Sequence, residues 1–125
     1  MATTTVNHAV VWTEIPVTDL DQSMKFYEAV LGAPLTRNDA GPNPMADFAY
    51  GDGSVAGHLY PGKPAADGAG PTVHLAVPGT VEEAAARCVD AGGSVIGPVI
   101  TIPPGRFQYA TDLDGNSIGL FEPQD

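Results

Sequence analysis

The chain is written twice. Val17 and Val77 end two β-like runs, and Gly32 and Gly92 end the helix-like segments that follow, each pair 60 residues apart. An internal repeat of this length means one supersecondary unit used twice, and a unit of about 60 residues buries too little surface to be robust alone. The whole chain of 125 residues has the length of one domain. Its two copies are therefore expected to share a core or a partner chain.

In the first copy the β-rich run VVWTEIPV, 10–17, gives way at Thr18 and Asp19 to a segment where Leu20, Met24, Tyr27 and Leu31 recur at helical spacing. Asp19 with Gln22 has the form of a capping box, and Gly32 that of a C-cap. The second copy repeats this grammar: TVHLAV at 72–77, Thr80 with Glu83 as the box, and Val81, Ala84, Ala85 and Cys88 as the stripe, stopped by Gly92 and Gly93. Three short β candidates follow each helix, near 34–37, 46–50 and 54–60, then near 94–102, 106–111 and 117–122. Asp52-Gly53 and Asp114-Gly115 are matching hairpin signals 62 residues apart. The fold class is thus α+β: two tandem βαβββ modules, about 6–60 and 72–123, forming a curved mixed sheet with helices on the outer face. The Pro- and Gly-rich stretch 61–71 connects them.

The formal net charge is −10, and the five cations (Lys25, Arg37, Lys63, Arg87 and Arg106) are scattered, which argues against a nucleic-acid partner. Cys88 is the only cysteine, so no intrachain disulfide forms, and its apolar stripe marks it as a small buried residue. No run approaches the ~20 apolar residues that span a bilayer. The opening MATTTVNH lacks the charged-then-apolar pattern of an export signal. A cytoplasmic protein without a membrane partner is expected.

Alternation along the strands assigns the faces. Val73, Leu75 and Val77 form an apolar set beneath the second helix, and by the repeat Val11, Thr13, Ile15 and Val17 lie beneath the first. Trp12 and Glu14 then face the concave side with Thr72, His74 and Ala76. Glu14 and His74 are repeat partners, as are Trp12 and Thr72. A carboxylate and an imidazole so placed act as acid and base, ligate a metal, or form a hydrogen-bonded polar pair. Trp12 supplies a wall, an interface anchor or a stacking platform. His58, counted against Leu120, is expected to point away from Glu14 and His74, and His8 is read as a surface residue. Arg106 and Gln108 share a face that parity leaves open. If inward, Arg106 would meet a carboxylate, phosphate or enolate; if outward, it is a solvated strand end.

The segments DLDQSMKFYEAVLG, VEEAAARCVDAGGSV and TDLDGNSIGLFEP, within two βαβββ modules, resemble the glyoxalase/bleomycin-resistance family, also called the vicinal oxygen chelate superfamily. The segment WTEIPVTDLDQSMKFYEAVLG is similar to a glyoxalase-like subgroup with a Trp-x-Glu first strand. In metal-dependent members four residues on the first and last strands of both modules, usually His and Glu, hold an ion. By spacing the resemblance places these at Trp12, Gly57, Thr72 and Gly119, none a usual ligand, with the two glycines read as repeat partners. The resemblance thus implies a metal-free cavity lined by Trp12, Glu14, Gly57, Thr72, His74 and Gly119 that binds a small organic molecule, with no cofactor and a divalent metal disfavoured. If catalysis follows, Glu14 or His74 is the acid/base of a lyase or isomerase, and Arg106 and Gln108 are further substrate-binding candidates. The alternatives are an antibiotic-sequestering protein and a metal-dependent lyase or dioxygenase with unusual ligands. The family habit of pairing modules between chains implies a homodimer.

Overall fold

The computed structural model describes residues 9–51 and 54–124. His8 and the Asp52-Gly53 turn lie outside the described residues. The elements run β1 (Thr13–Val17), α1 (Leu20–Leu31), β2 (Thr36–Asn38), β3 (Met45–Asp47), β4 (Gly57–Pro61), β5 (Val73–Ala76), α2 (Val81–Asp90), β6 (Ser94–Ile102), β7 (Gly105–Thr111) and β8 (Ser117–Pro123). Each half is therefore βαβββ.

Both helices start where their caps dictate. The Asp19 carboxylate accepts from the Gln22 amide, and Thr80 and Glu83 close a reciprocal box over the first turn of α2. These bonds satisfy amides that have no partner inside the helix. Gly32 ends α1 in the left-handed conformation, whereas α2 is capped by Ala91 in a right-handed one, with Gly92 taking the positive φ just beyond. The buried stripe of α1 is Leu20, Ser23, Phe26, Tyr27 and Val30, with Met24 and Leu31 at its edges. It is turned slightly from the expected one: Phe26 and Val30 are fully buried, whereas Met24 and Leu31 are only partly so.

The strands form two four-stranded mixed sheets ordered β1-β4-β3-β2 and β5-β8-β7-β6. In each, the strand before the helix pairs parallel with the last strand of the module, and the other pairs are antiparallel. Ile15, Val17, Leu59, Ala110, Ile118 and Leu120 face the helices, and one continuous core spans both modules. Val11 is an exception to the expected face: β1 begins only at Thr13, and Val11 is exposed. No helix among the described residues is long and apolar enough to cross a membrane.

Hydrogen bonds rather than strand pairing tie the modules together. The Tyr27 hydroxyl of α1 donates to Asp112 Oδ2 at 2.6 Å. The same carboxylate accepts from the Asn116 side chain and from the amides of Asp114 and Asn116, each at 2.9 Å. Asn116 Nδ2 also donates to the Pro16 carbonyl in β1, and Thr18 donates to Asp114 through its amide and hydroxyl. Arg87 of α2 reaches the Val30 carbonyl at the end of α1. A buried carboxylate is tolerated only when its oxygens are satisfied in this way.

Burial, and secondarily the Asp112 charge, push the Tyr27 phenol well above its ordinary value. The folded state thus holds this proton more tightly than the unfolded chain, so the contribution is full below pH of about 10 and declines as the pH rises beyond it. Tyr27→Phe is expected to lower stability at pH 7 by about 1–3 kcal/mol. It should also make the alkaline loss of stability shallower than in the wild type. Urea unfolding at neutral and alkaline pH measures both.

Candidate functional site

β1 and β5 are the facing edges of the two sheets, and no ladder joins them. Between them runs a groove of about 640 Å³ whose lining includes Trp12, Glu14, Thr72 and His74. Its ionisable groups are Glu14, Lys63 and His74; the rest is mostly apolar. The structure thus brings together four of the residues that the sequence placed on the concave side. No hydrogen bond or ion pair among the described residues joins Glu14 to His74, so they are not the polar pair that one reading allowed.

Glu14 instead meets His58, whose Nε2 lies 3.4 Å from Glu14 Oε2. The Trp12 indole Nε1–H donates to His58 Nδ1 at 2.9 Å. This corrects the expectation that His58 points away. In the sheet ladder His58 stands opposite Glu14 just as Gly119 stands opposite His74, and Gly57 stands opposite Thr13 as Ile118 stands opposite Val73. The repeat partner of His58 is therefore Gly119, 61 residues on, rather than Leu120. The sequence has one more residue between Asp52-Gly53 and His58 than between Asp114-Gly115 and Gly119, and a shift of one residue exchanges the faces of a strand. Leu59, fully buried like Leu120, carried the signal that would have set the register.

Gly57 accordingly leaves the concave set. A Cβ there would run into the Thr13 carbonyl, so its role is the close approach of β1 and β4. It lines a second, adjoining groove of about 430 Å³ with Phe48, Tyr50 and Val55, into which His74 also extends.

In module two His74 sits in an aromatic setting absent from the sequence reading. Its ring meets Phe107 edge-on at 4.9 Å and lies 5.9 Å from Tyr109 and 6.1 Å from Phe121. Ladder register explains this cluster, because Tyr109 stands opposite Gly119 and Phe107 opposite Phe121. A Cβ on Gly119 would collide with the His74 imidazole, so the missing side chain is the seat of the ring. Thr72 is held by a hydroxyl contact to Ser117.

Arg106 and Gln108 are not brought to the groove. Arg106 is spent on Glu82 of α2 and on Glu122, bonds that hold the Glu82 carboxyl down at about 2. Glu122 in turn accepts the Val81 amide, anchoring the start of α2 to β8. Gln108 donates to the Gly97 carbonyl, where the β6–β7 register shifts. Cys88 is buried, and burial raises its thiol to about 11, so it is a packing residue without thiolate chemistry near neutral pH.

With the register corrected, the four positions where the resemblance places metal ligands are Trp12, His58, Thr72 and Gly119. One of them is a ligand type. Among the described residues no three His, Cys, Asp or Glu side chains converge in a way that could hold an ion. The donor set does not fit the divalent metal of the family's metal-dependent members, since His58 and Glu14 are two groups where three or more are needed.

Residues 5–120 match the family model described as the Glyoxalase/Bleomycin resistance protein/Dioxygenase superfamily. Among solved structures, a glyoxalase/bleomycin resistance protein from Albidiferax ferrireducens T118 superposes with a TM-score of 0.74 at 22% identity, covering 94% of this chain and 100% of that one. TnmS3, an antibiotic binding protein from Streptomyces sp. CB03234, does so with a TM-score of 0.64 at 26% identity, covering 98% and 100%. A glyoxalase-related enzyme from Fulvimarina pelagi has a TM-score of 0.64 at 19% identity, covering 94% and 88%. No curated protein sequence matches the chain.

Gly119→Ala is expected to evict the His74 ring from its seat and to cost about 1–3 kcal/mol by overpacking. In NMR spectra the ring-current shift of the His74 imidazole should collapse toward its solution value. An unmoved His74 resonance in a folded variant would refute the seat.

Proposed function

The chain belongs to the glyoxalase/bleomycin resistance protein/dioxygenase superfamily, and we propose on that premise that it binds a small, largely apolar organic molecule in the groove between β1 and β5. One observation carries this reading: the groove of about 640 Å³ is of ligand size and is apolar apart from a few side chains, Glu14 and His74 among them. Binding in this reading needs no metal. Glu14 and His74 line the same groove without a bond to each other, so a molecule seated between them meets a carboxylate and an imidazole. Such a pair can take a proton from a carbon next to a carbonyl and return it elsewhere, the chemistry of an isomerase or lyase.

A second reading, sequestration without turnover, is favoured by the similarity to an antibiotic binding protein over nearly the full length of both chains. The net charge of −10 suits it when the compound is cationic. In either reading a second copy of the chain completes the site, as the family habit implies.

Trp12 is the only tryptophan and lines the groove, so its emission reports on occupancy. Titration with a library of flat organic compounds should give saturable quenching for some members; a library without one ligand would refute the binding reading. Turnover of such a ligand that is lost in Glu14→Gln or His74→Ala would mark an enzyme. Stoichiometric binding with the compound recovered unchanged would mark sequestration. Sedimentation at micromolar concentration should show a dimer, and a stable monomer would count against the shared site.

A further inference from the structure

The contact between Trp12 and His58 sets more than a wall. An indole N–H only donates, so His58 Nδ1 must accept, and the single proton of the neutral ring is placed on Nε2. Nε2, the nitrogen that then carries the proton, lies 3.4 Å from Glu14 Oε2. His58 itself is almost fully buried, whereas Glu14 is largely exposed at the groove. At this distance the contact is electrostatic rather than a hydrogen bond, so the Glu14 carboxylate keeps its acceptor capacity. Flat surfaces flank this acceptor. Tyr50 meets Trp12 edge-on at 5.6 Å, and across the groove His74 stands in its aromatic cluster.

We propose that His58 is a positioning residue of the site, locked by Trp12 in the Nε2–H form so that Glu14 presents a fixed acceptor to a flat-ringed ligand bearing an N–H or O–H donor. This rests on the small-molecule reading above and deepens it by naming the ligand class. Glu14 receives the ligand's donor; His58 acts through Glu14, and Trp12, itself a wall of the groove, sets the His58 tautomer. The arrangement belongs to module one alone, because the place of His58 in module two is Gly119 and that of Trp12 is Thr72.

The test has two parts, and the first needs no ligand. Nitrogen-15 NMR of the wild type at neutral pH should show His58 unprotonated at Nδ1 and protonated at Nε2, and Trp12→Phe, which keeps a ring but removes the donor, should give a mixture of tautomers. An Nδ1–H form in the wild type, or a spectrum unchanged in Trp12→Phe, would overturn the lock. The second part is calorimetry with naphthalen-2-ylmethanol and its methyl ether, which share a ring and differ in the donor. The wild type should prefer the alcohol by about tenfold, roughly the worth of one hydrogen bond. That preference should shrink below about twofold in Trp12→Phe and His58→Leu and persist in His58→Gln, whose amide N–H restores a donor toward Glu14. A merely structural role would weaken both compounds alike, and equal loss would overturn the positioning role. If the tautomer is as expected but neither compound binds, the ligand class is overturned while the lock stands.

Discussion

Everything in this molecule hangs on one carboxylate. Asp112 sits at the end of β7, buried, with its oxygens taken by Tyr27, by Asn116 and by two backbone amides. Tyr27 belongs to one module and Asn116 reaches the backbone of β1, so the turn at 112–116 is where the two halves are clamped. Since the facing edges β1 and β5 share no ladder, their separation is set by this clamp and by helix packing rather than by strand pairing. The groove exists because the modules are joined beside it and not across it.

The two modules have kept the same skeleton and diverged on their inner surfaces. Module one carries a polar chain from Trp12 through His58 to Glu14. Module two carries an imidazole among Phe107, Tyr109 and Phe121. A duplicated fold can do this because residues on the concave faces are free of the packing demands that fix Ile15, Leu59, Ile118 and Leu120 against the helices. The result is one groove with two chemically unlike walls.

The fold was legible in the sequence wherever local chemistry decided it. Asp19, Thr80 and Glu83 mark helix starts that need no distant partner, and the alternation of Val73, Leu75 and Val77 places His74 on the correct face. What failed was counting across a loop. The register of β4 depends on how many residues separate it from Asp52-Gly53 in the sequence, and one residue moved His58 from the helix side to the side of Glu14. The fate of Arg106 was illegible for a different reason: its partners Glu82 and Glu122 lie 24 and 16 residues away, and no periodicity relates them. The aromatic cluster follows from ladder register between β7 and β8, which single-strand patterns do not encode.

Gly119 also bears on how such a chain changes over generations. Its bare backbone is filled by the His74 imidazole, so the space cannot simply be reclaimed. A lineage introducing a carboxylate at 119 would first have to shrink or redirect the residue at 74, and the reverse order passes through an intermediate with two side chains in one place. The two positions are therefore epistatic, and the direction in which this inner surface can evolve is constrained by the order of the steps as much as by the residues themselves.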